Sequence, residues 1–303
     1  MSSNKNSGEI SALKRTFVNN DGCLRAVWQL IITWSGWYAL YLGSAILLSR
    51  LMLSMFSSWG VNNANIALAP GWVQYLTIYQ AELLTAVPTL IASAAAWFAL
   101  RCYRRRTSAP SARTTAAAFT AGVAAAMALM VIFLLADSMR ITSPVPELTP
   151  DIVLLLLFSL ITSVFESIAV FGYVRLMADR HINRLAGHVA AAVTFFIFGM
   201  VGFVSVGAAI NSLLIGLALS LIAERYSLFA CAALRTGWLW TVCALAGFPE
   251  NVRGVFTMYP VSENFLTGGY AGPEGGFAVA LICAAIIAVY LIIPEIKHRR
   301  RKA

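Results

Sequence analysis

The chain has 303 residues, of which 59% are hydrophobic and 12% are charged, and its mean hydropathy is +0.76. A chain this apolar does not fold as a soluble globular domain, so these values predict an all-α, polytopic membrane helical bundle. The net charge of +9 does not indicate nucleic-acid binding, because Lys and Arg cluster in short segments between apolar runs. Loop charges that orient a membrane protein have this distribution.

The apolar runs predict about eight transmembrane helices. Residues 1–25 are polar, and the apolar run after them is about 28 residues long, which exceeds the h-region of a secretory signal peptide and predicts a helix that stays attached. Since each crossing needs about 20 residues, we predict the other helices at 72–100, 114–135, 151–176, 187–207, 209–223, 227–246 and 276–293. A turn at Gly207-Ala208-Ala209 is the predicted boundary between the fifth and sixth helices.

The charges between these helices predict the orientation. Most of the 22 Lys and Arg residues fall at the termini and in alternate loops, whereas Arg50, Arg140 and Arg253 fall in the opposite loops. The positive-inside rule therefore predicts a multi-pass protein of the plasma membrane with both termini in the cytoplasm. The predicted organisation is a cytoplasmic segment at 1–25, two helices and a basic loop at 26–113, a transmembrane core at 114–293 and a basic cytoplasmic tail at 294–303.

A carboxylate inside the fourth predicted helix is the main candidate for a functional group. Placing a charge at the centre of a membrane helix costs roughly 2.5 to 3.5 kcal/mol on insertion scales, so such residues are usually functional. The carboxylate belongs to Glu166, and other polar side chains follow it at helical spacing. They form one polar stripe that must face protein or water: Ser159, Thr162, Ser163, Glu166 and Tyr173.

A second intramembrane charge, Arg235, predicts an ion pair. Its guanidinium stays charged and needs a partner inside the bundle. Counted from the predicted helix ends at 1.5 Å per residue, Glu166 and Arg235 differ in depth by roughly 6 to 9 Å, which long side chains can span. Glu82 in the second helix has three open interpretations: a residue near the outer surface, an alternative partner for Arg235, or part of a polar cavity.

Neither metal nor any other cofactor is predicted. The five cysteines are scattered without C-x-x-C spacing, which argues against a disulfide framework and a zinc site. The histidines, His181, His188 and His298, lie in or beside basic segments. We therefore predict that they are solvated loop or helix-end residues.

Glu166 is followed by Gly172, Tyr173 and Val174 at the spacing of a known motif, and the segments 216–229 and 266–276 add to the match. Together they resemble the CAAX protease and bacteriocin-processing (CPBP) family of intramembrane endopeptidases. Its first motif reads Glu-Glu-x-x-x-Arg-Gly, an aromatic and an aliphatic residue, and the matching positions here are Glu166, Gly172, Tyr173 and Val174. Ser167 and Phe171 replace the second glutamate and the arginine. Residues 216–229 and the glycine-rich segment 266–276 resemble two later stretches of the family, so the resemblance covers about 114–293.

The resemblance implies a site that has lost most of its catalytic groups. In the family, the first glutamate and a histidine activate water, while a second histidine and an asparagine stabilise the oxyanion. The three positions other than Glu166 are occupied here by Gly202, Arg235 and Leu239. The leading interpretation is therefore a degenerate member that binds a membrane peptide, a prenylated or leader peptide, or a membrane protein. The alternatives are an active endopeptidase with Glu166 as general base and, third, a transporter or channel.

Overall fold

A computed structural model describes residues 25–58, 60, 70–78, 80–100, 111–141, 151–199, 205–247, 254–256, 258–261, 266–268 and 272–300. The α-helices in this part of the chain are α1 (Ala26–Ser58), α2 (Gly71–Ile78), α3 (Gln80–Leu100), α4 (Ala112–Leu135), α5 (Asp151–Ser167), α6 (Arg175–His181), α7 (Arg184–Gly199), α8 (Val206–Arg225), α9 (Leu228–Trp240) and α10 (Phe277–Arg300). Two π-helical segments, π1 (Ile168–Val174) and π2 (Thr241–Leu245), directly follow α5 and α9.

Long apolar helices confirm the prediction of an all-α membrane bundle. Within the described residues, five helical segments are long and apolar enough to cross a bilayer: Val27–Ser58, Ala112–Leu135, Ile152–His181, Val206–Arg225 and Leu228–Leu245. Arg184–Phe198 and Phe277–Tyr290 are shorter apolar helices. Large apolar side chains such as Leu135, Val153 and Val206 are more than half exposed on the outside of the bundle, as lipid-facing residues are.

Serine caps set the starts of two helices, and one of them corrects a predicted boundary. Ser205 Oγ accepts a hydrogen bond of 3.1 Å from the Ala208 amide, and Ser227 Oγ accepts one of 3.0 Å from the Ala230 amide. Because Ser205 satisfies a free amide of the first turn, α8 begins at Val206. The predicted turn at Gly207-Ala208-Ala209 is therefore wrong, since these residues lie inside α8.

The centre of the bundle is α9, which packs mainly against α4 and α5. Around them, α7 packs on α8, α10 on α8, and α1 on α3. The ring of Trp37 on α1 stacks on Phe198 of α7 with a centroid distance of 3.5 Å. At one end, β1 (Met139–Ile141) pairs antiparallel with β2 (Met258–Pro260), and the buried Met139 and Met258 side chains join the core there.

Glycines allow α4 and α9 to approach at backbone contact. A Cβ atom on Gly122 would overlap the main-chain oxygen of Leu234, and one on Gly237 would overlap that of Phe119. Small residues commonly permit such close crossings in membranes, where packing and not hydrophobicity drives helix association. The crossing sets the position of α9 relative to its neighbours, and α9 carries Arg235.

We expect Gly237→Ala to lower the thermal unfolding temperature of the detergent-solubilised protein. The added methyl group must displace a helix backbone, and overpacking of this kind lowers the free energy of unfolding by about 1 to 3 kcal/mol. The matched control is Gly36→Ala on α1, where a Cβ atom would meet nothing within 4 Å. Equal unfolding temperatures for the two variants would show that α4 and α9 do not cross at backbone contact.

Candidate functional site

Glu166 lies at the end of α5, immediately before the change from α-helical to π-helical geometry. All seven residues of π1 are buried, and single π-helical turns occur frequently at functional sites. The Glu166 side chain keeps 17% of its surface exposed. One turn earlier on the same face, the hydroxyl of Ser163 is buried and has no hydrogen-bond partner among the described residues. This part of the helix therefore presents polar groups whose hydrogen-bonding capacity is incompletely used.

Arg235 lies between two carboxylates inside the bundle. Its side chain is only 12% exposed, and Nε lies 4.0 Å from Glu166 Oε2. The other side of the guanidinium forms an ion pair with Glu274 through Nη1 and Oε1, and Nη2 donates to Glu274 Oε2 at 3.5 Å. Its Cζ atom lies 5.5 Å from the centroid of the Phe195 ring, within cation-π distance. We call Glu166, Arg235 and Glu274 the charge cluster.

Glu274 is the member of the charge cluster that sequence reasoning missed. It was recognised only as part of the glycine-rich segment 266–276, although a carboxylate directly before the last apolar helix was a signal that it could enter the bundle. Trp238, one turn after Arg235 on α9, donates its indole N–H to Glu274 Oε1 at 3.0 Å. Because α9 supplies both donors, Glu274 is held more closely than Glu166.

The loop that carries Glu274 is held by Asn211 of α8. This residue is 3% exposed, and its Nδ2 donates hydrogen bonds to the main-chain oxygens of Glu274 at 2.7 Å and Gly276 at 2.8 Å. Gly268 has φ +76° and packs against the backbone of Gly275, where a Cβ atom would not fit. Asn211 and the packed glycines therefore fix the depth at which Glu274 enters the bundle.

An apolar cavity of about 260 Å³ adjoins the charge cluster. Residues of α4, α8, α9 and α10 line it, and Arg235 is the charged residue among them. The walls are otherwise formed mainly by apolar side chains, including Ala125, Ile215, Leu219, Ile222, Val279 and Ile286. An apolar cavity of about 150 Å³ stays dry and accepts benzene. The cavity beside Arg235 can therefore hold a longer hydrocarbon group.

The structure brings Glu166 and Arg235 together, but it does not describe every predicted position. Gly202 lies outside the described residues, and so does the side chain of Glu82 on α3. Leu239 lies on α9 and packs against the hydrophobic core. At this position, where the resembled family has an asparagine, the chain thus has an apolar side chain that cannot donate a hydrogen bond.

His188 contradicts the prediction that all three histidines are solvated. Its side chain is buried, with Nδ1 at 2.8 Å from Ser220 Oγ and Nε2 at 3.0 Å from Glu224 Oε2. The prediction failed because α7 begins at Arg184, so His188 lies one turn inside the helix and faces α8. His181 is exposed at the end of α6, as predicted, and the side chain of His298 lies outside the described part of the chain.

These contacts define the class of protein: a helical integral membrane protein with a buried cluster of one arginine and two glutamates beside an apolar cavity. No group of three or more His, Cys, Asp or Glu side chains that could hold a metal ion occurs within the described residues. Comparison with protein-family models, characterised proteins and solved structures gave no match. The resemblance to the CPBP family therefore remains a prediction from the motifs.

We expect double-mutant cycles to give a larger coupling for Arg235 with Glu274 than for Arg235 with Glu166. Removing one partner of a buried ion pair typically lowers the free energy of unfolding by about 3 to 5 kcal/mol. Replacing both partners with apolar residues of similar size often leaves it nearly unchanged. The variants Glu166→Gln, Glu274→Gln and Arg235→Met are measured singly and in pairs by thermal unfolding in detergent. Combining Glu274→Gln with Arg235→Met should recover much of the loss seen in each single variant.

A control for this cycle is the exposed pair of Asp137 and Arg140, whose side chains approach to 3.5 Å. Exposed ion pairs contribute roughly 0.2 to 1 kcal/mol to the free energy of unfolding. We therefore expect Asp137→Asn to change the thermal unfolding temperature little. If the losses from Glu274→Gln and Arg235→Met simply add, the two residues are not energetically coupled and this description of the charge cluster is wrong.

Proposed function

We propose that the protein is a degenerate relative of the CPBP intramembrane endopeptidases that binds, without cleaving, a lipidated peptide or similar membrane peptide. The observation that carries the proposal is the position of Arg235. Its guanidinium stands where the resembled family has a histidine, it pairs with Glu274 beside Glu166, and it borders an apolar cavity. The ligand's hydrocarbon chain would lie in the cavity, and its peptide would lie beside the charge cluster.

The composition of the cluster favours binding over hydrolysis. Hydrolysis of a peptide bond needs a base that positions water and donors that stabilise the oxyanion. Glu166 is the retained candidate for the base, but Arg235 occupies its neighbourhood and Leu239 supplies no donor. The guanidinium itself is engaged mainly by Glu274. This arrangement supports a site in which the charges are used for recognition and for holding helices together.

The apolar cavity alone would not select a ligand. Inside a bilayer, lipid tails are as apolar as the cavity walls, so moving a hydrocarbon chain between them gains little free energy from the hydrophobic effect. Selection then depends on shape and on polar contacts. Glu274 keeps 33% of its side chain exposed, and its carboxylate can accept hydrogen bonds from peptide N–H groups. These features favour a ligand that combines a hydrocarbon chain with a peptide.

The binding proposal has a direct test with a matched pair of variants. Purified protein is titrated with a fluorescent, prenylated C-terminal peptide and with the same peptide without the prenyl group. Ala125 lines the cavity, whereas its neighbour Ala124 is exposed. Ala125→Leu fills cavity space and should weaken binding of the prenylated peptide about tenfold or more, as overpacking does. Ala124→Leu should leave binding unchanged.

Cleavage of the same peptides decides between the two functional alternatives. We expect prenylated and bacteriocin-leader peptides to remain intact, both with and without a metal chelator. Cleavage by the wild type that Glu166→Gln abolishes would overturn the binding proposal. It would instead support an active endopeptidase with Glu166 as general base. Equal affinity for the prenylated and unprenylated peptides would also overturn the proposal, because the cavity would then have no role.

We further infer eight crossings in the plasma membrane, with both termini in the cytoplasm. The five long apolar segments, the shorter helices Arg184–Phe198 and Phe277–Tyr290, and the region 71–100 support this number. Tags at both termini should be accessible only from the cytoplasm, and a tag in the loop at 247–275 only from outside. An external C-terminus would mean an odd number of crossings and would overturn this topology.

A further inference from the structure

A group of arginines lies at the end of the bundle where α6, α7 and α8 meet. Arg184 Nε at the start of α7 lies 2.8 Å from Glu224 Oε1 near the end of α8. The Tyr290 hydroxyl of α10 donates to Glu224 Oε2 at 3.3 Å, and Arg225 Cζ lies 5.7 Å from the Tyr290 ring centroid. The Arg175 side chain interacts with the same Glu224 carboxylate at longer range. We call Arg175, Arg184 and Arg225 the arginine cluster.

Within the part of the chain that the structure describes, the arginine cluster has more positive charge than its carboxylates balance. Arg175 Nε donates to the main-chain oxygen of Phe171 at 3.1 Å, and among the described residues no carboxylate lies within ion-pair distance of Arg175 or Arg225. Glu224 is already engaged by Arg184 and His188. Glu224 and Asp179 both interact with Arg175, but only at longer range. Among the described residues, the three arginines therefore outnumber the two nearby carboxylates, Glu224 and Asp179.

Arg175 makes this excess significant because it is partly buried. A guanidinium remains charged in any protein environment, so it is stabilised either by water or by an anion. Its Nε is held by the Phe171 carbonyl, which fixes the direction of the planar group. Its two other nitrogens have no hydrogen-bond partner among the described residues. Planar guanidinium groups bind phosphate oxygens through paired hydrogen bonds. The arrangement therefore suits a phosphate group better than a halide or another spherical anion.

Tyrosine side chains indicate the depth of the arginine cluster in the membrane. Arg225 Cζ lies 6.0 Å from the centroid of the Tyr226 ring and 5.7 Å from that of the Tyr290 ring. Tyr226 is 57% exposed. Tyrosine is enriched at the level of the lipid headgroups, because its ring is apolar and its hydroxyl is polar. The charge distribution also predicts that this end faces the cytoplasm, where anionic lipids attract basic segments.

We propose that the arginine cluster binds the phosphate-bearing headgroup of an anionic phospholipid. The excess positive charge, the oriented guanidinium of Arg175 and the flanking tyrosines together match a phosphate held at headgroup depth. A bilayer lipid is the source because its phosphate is anchored at that depth, whereas free phosphate is not. This site lies at the end of the bundle and does not depend on what the apolar cavity binds.

Native mass spectrometry of delipidated protein in detergent tests the proposal. The protein is titrated with dioleoylphosphatidylglycerol, dioleoylphosphatidylcholine or inorganic phosphate, and bound molecules are counted. We expect selective retention of phosphatidylglycerol, and raising the salt concentration should weaken it. Arg175→Gln and Arg225→Gln should each weaken binding about fivefold, the effect of one basic residue at an anionic surface. The matched control Arg140→Gln removes an exposed arginine near the β1–β2 ladder and should bind like the wild type.

Several outcomes would overturn the proposal. Equal retention of phosphatidylcholine would show that the headgroup charge is not recognised, and equal retention of inorganic phosphate would remove the lipid from the proposal. Unchanged binding in the Arg175→Gln, Arg225→Gln double variant would place the lipid elsewhere. If Arg175→Gln does not yield folded protein, the exposed Arg225→Gln variant decides alone, with Arg225→Lys expected to restore part of the binding.

Discussion

The need to pair the Arg235 guanidinium inside the membrane organises the central part of this protein. An unpaired guanidinium in hydrocarbon is too costly to persist, so carboxylates must reach it from other segments. Glu166 comes from α5 and Glu274 from the loop before α10, while Arg235 lies on α9. The ion pairs thus connect three segments that are distant in sequence, and the helices can satisfy them only in one relative position.

The surrounding packing is arranged so that this position is available. The close crossing at Gly122 and Gly237 sets α9 against α4, and Asn211 of α8 fixes the loop that delivers Glu274. A change in any of these contacts would move one charged side chain of the charge cluster relative to its partner. In a low-dielectric environment small displacements of charges have large energetic consequences. The packing glycines and Asn211 therefore contribute to the charge cluster although they carry no charge themselves.

The charge cluster and the arginine cluster differ in composition. The charge cluster combines one arginine with two glutamates. In the arginine cluster at the end of the bundle, the arginines outnumber the carboxylates among the described residues. His188 lies on α7 between Ser220 and Glu224 and thereby joins α7 to α8 near the arginine cluster. This separation is consistent with the two proposals made above: recognition of a ligand within the bilayer, and binding of anionic headgroups at its surface.

Properties that depend on the local composition of the chain could be predicted from the sequence. Apolar runs of about 20 residues indicate membrane helices wherever they occur, because crossing the hydrocarbon region requires that length. Glu166 and Arg235 could be recognised as candidate site residues for a similar reason, since a charge within such a run is exceptional. The depth estimate even gave a reason to pair them, because rise per residue is constant along a helix.

The spatial partners of Arg235 and His188 could not be predicted from hydropathy. Glu274 lies in a glycine-rich loop, and only the return of that loop into the bundle brings it to Arg235. His188 was expected in solvent because its sequence neighbours are basic, yet the rotation of α7 turns its ring towards α8. Thus the sequence by itself determined the membrane helices and the charges they contain. The tertiary structure decided which groups meet, because pairing depends on helix rotation, depth and loop path, and these are set by packing between segments distant in sequence.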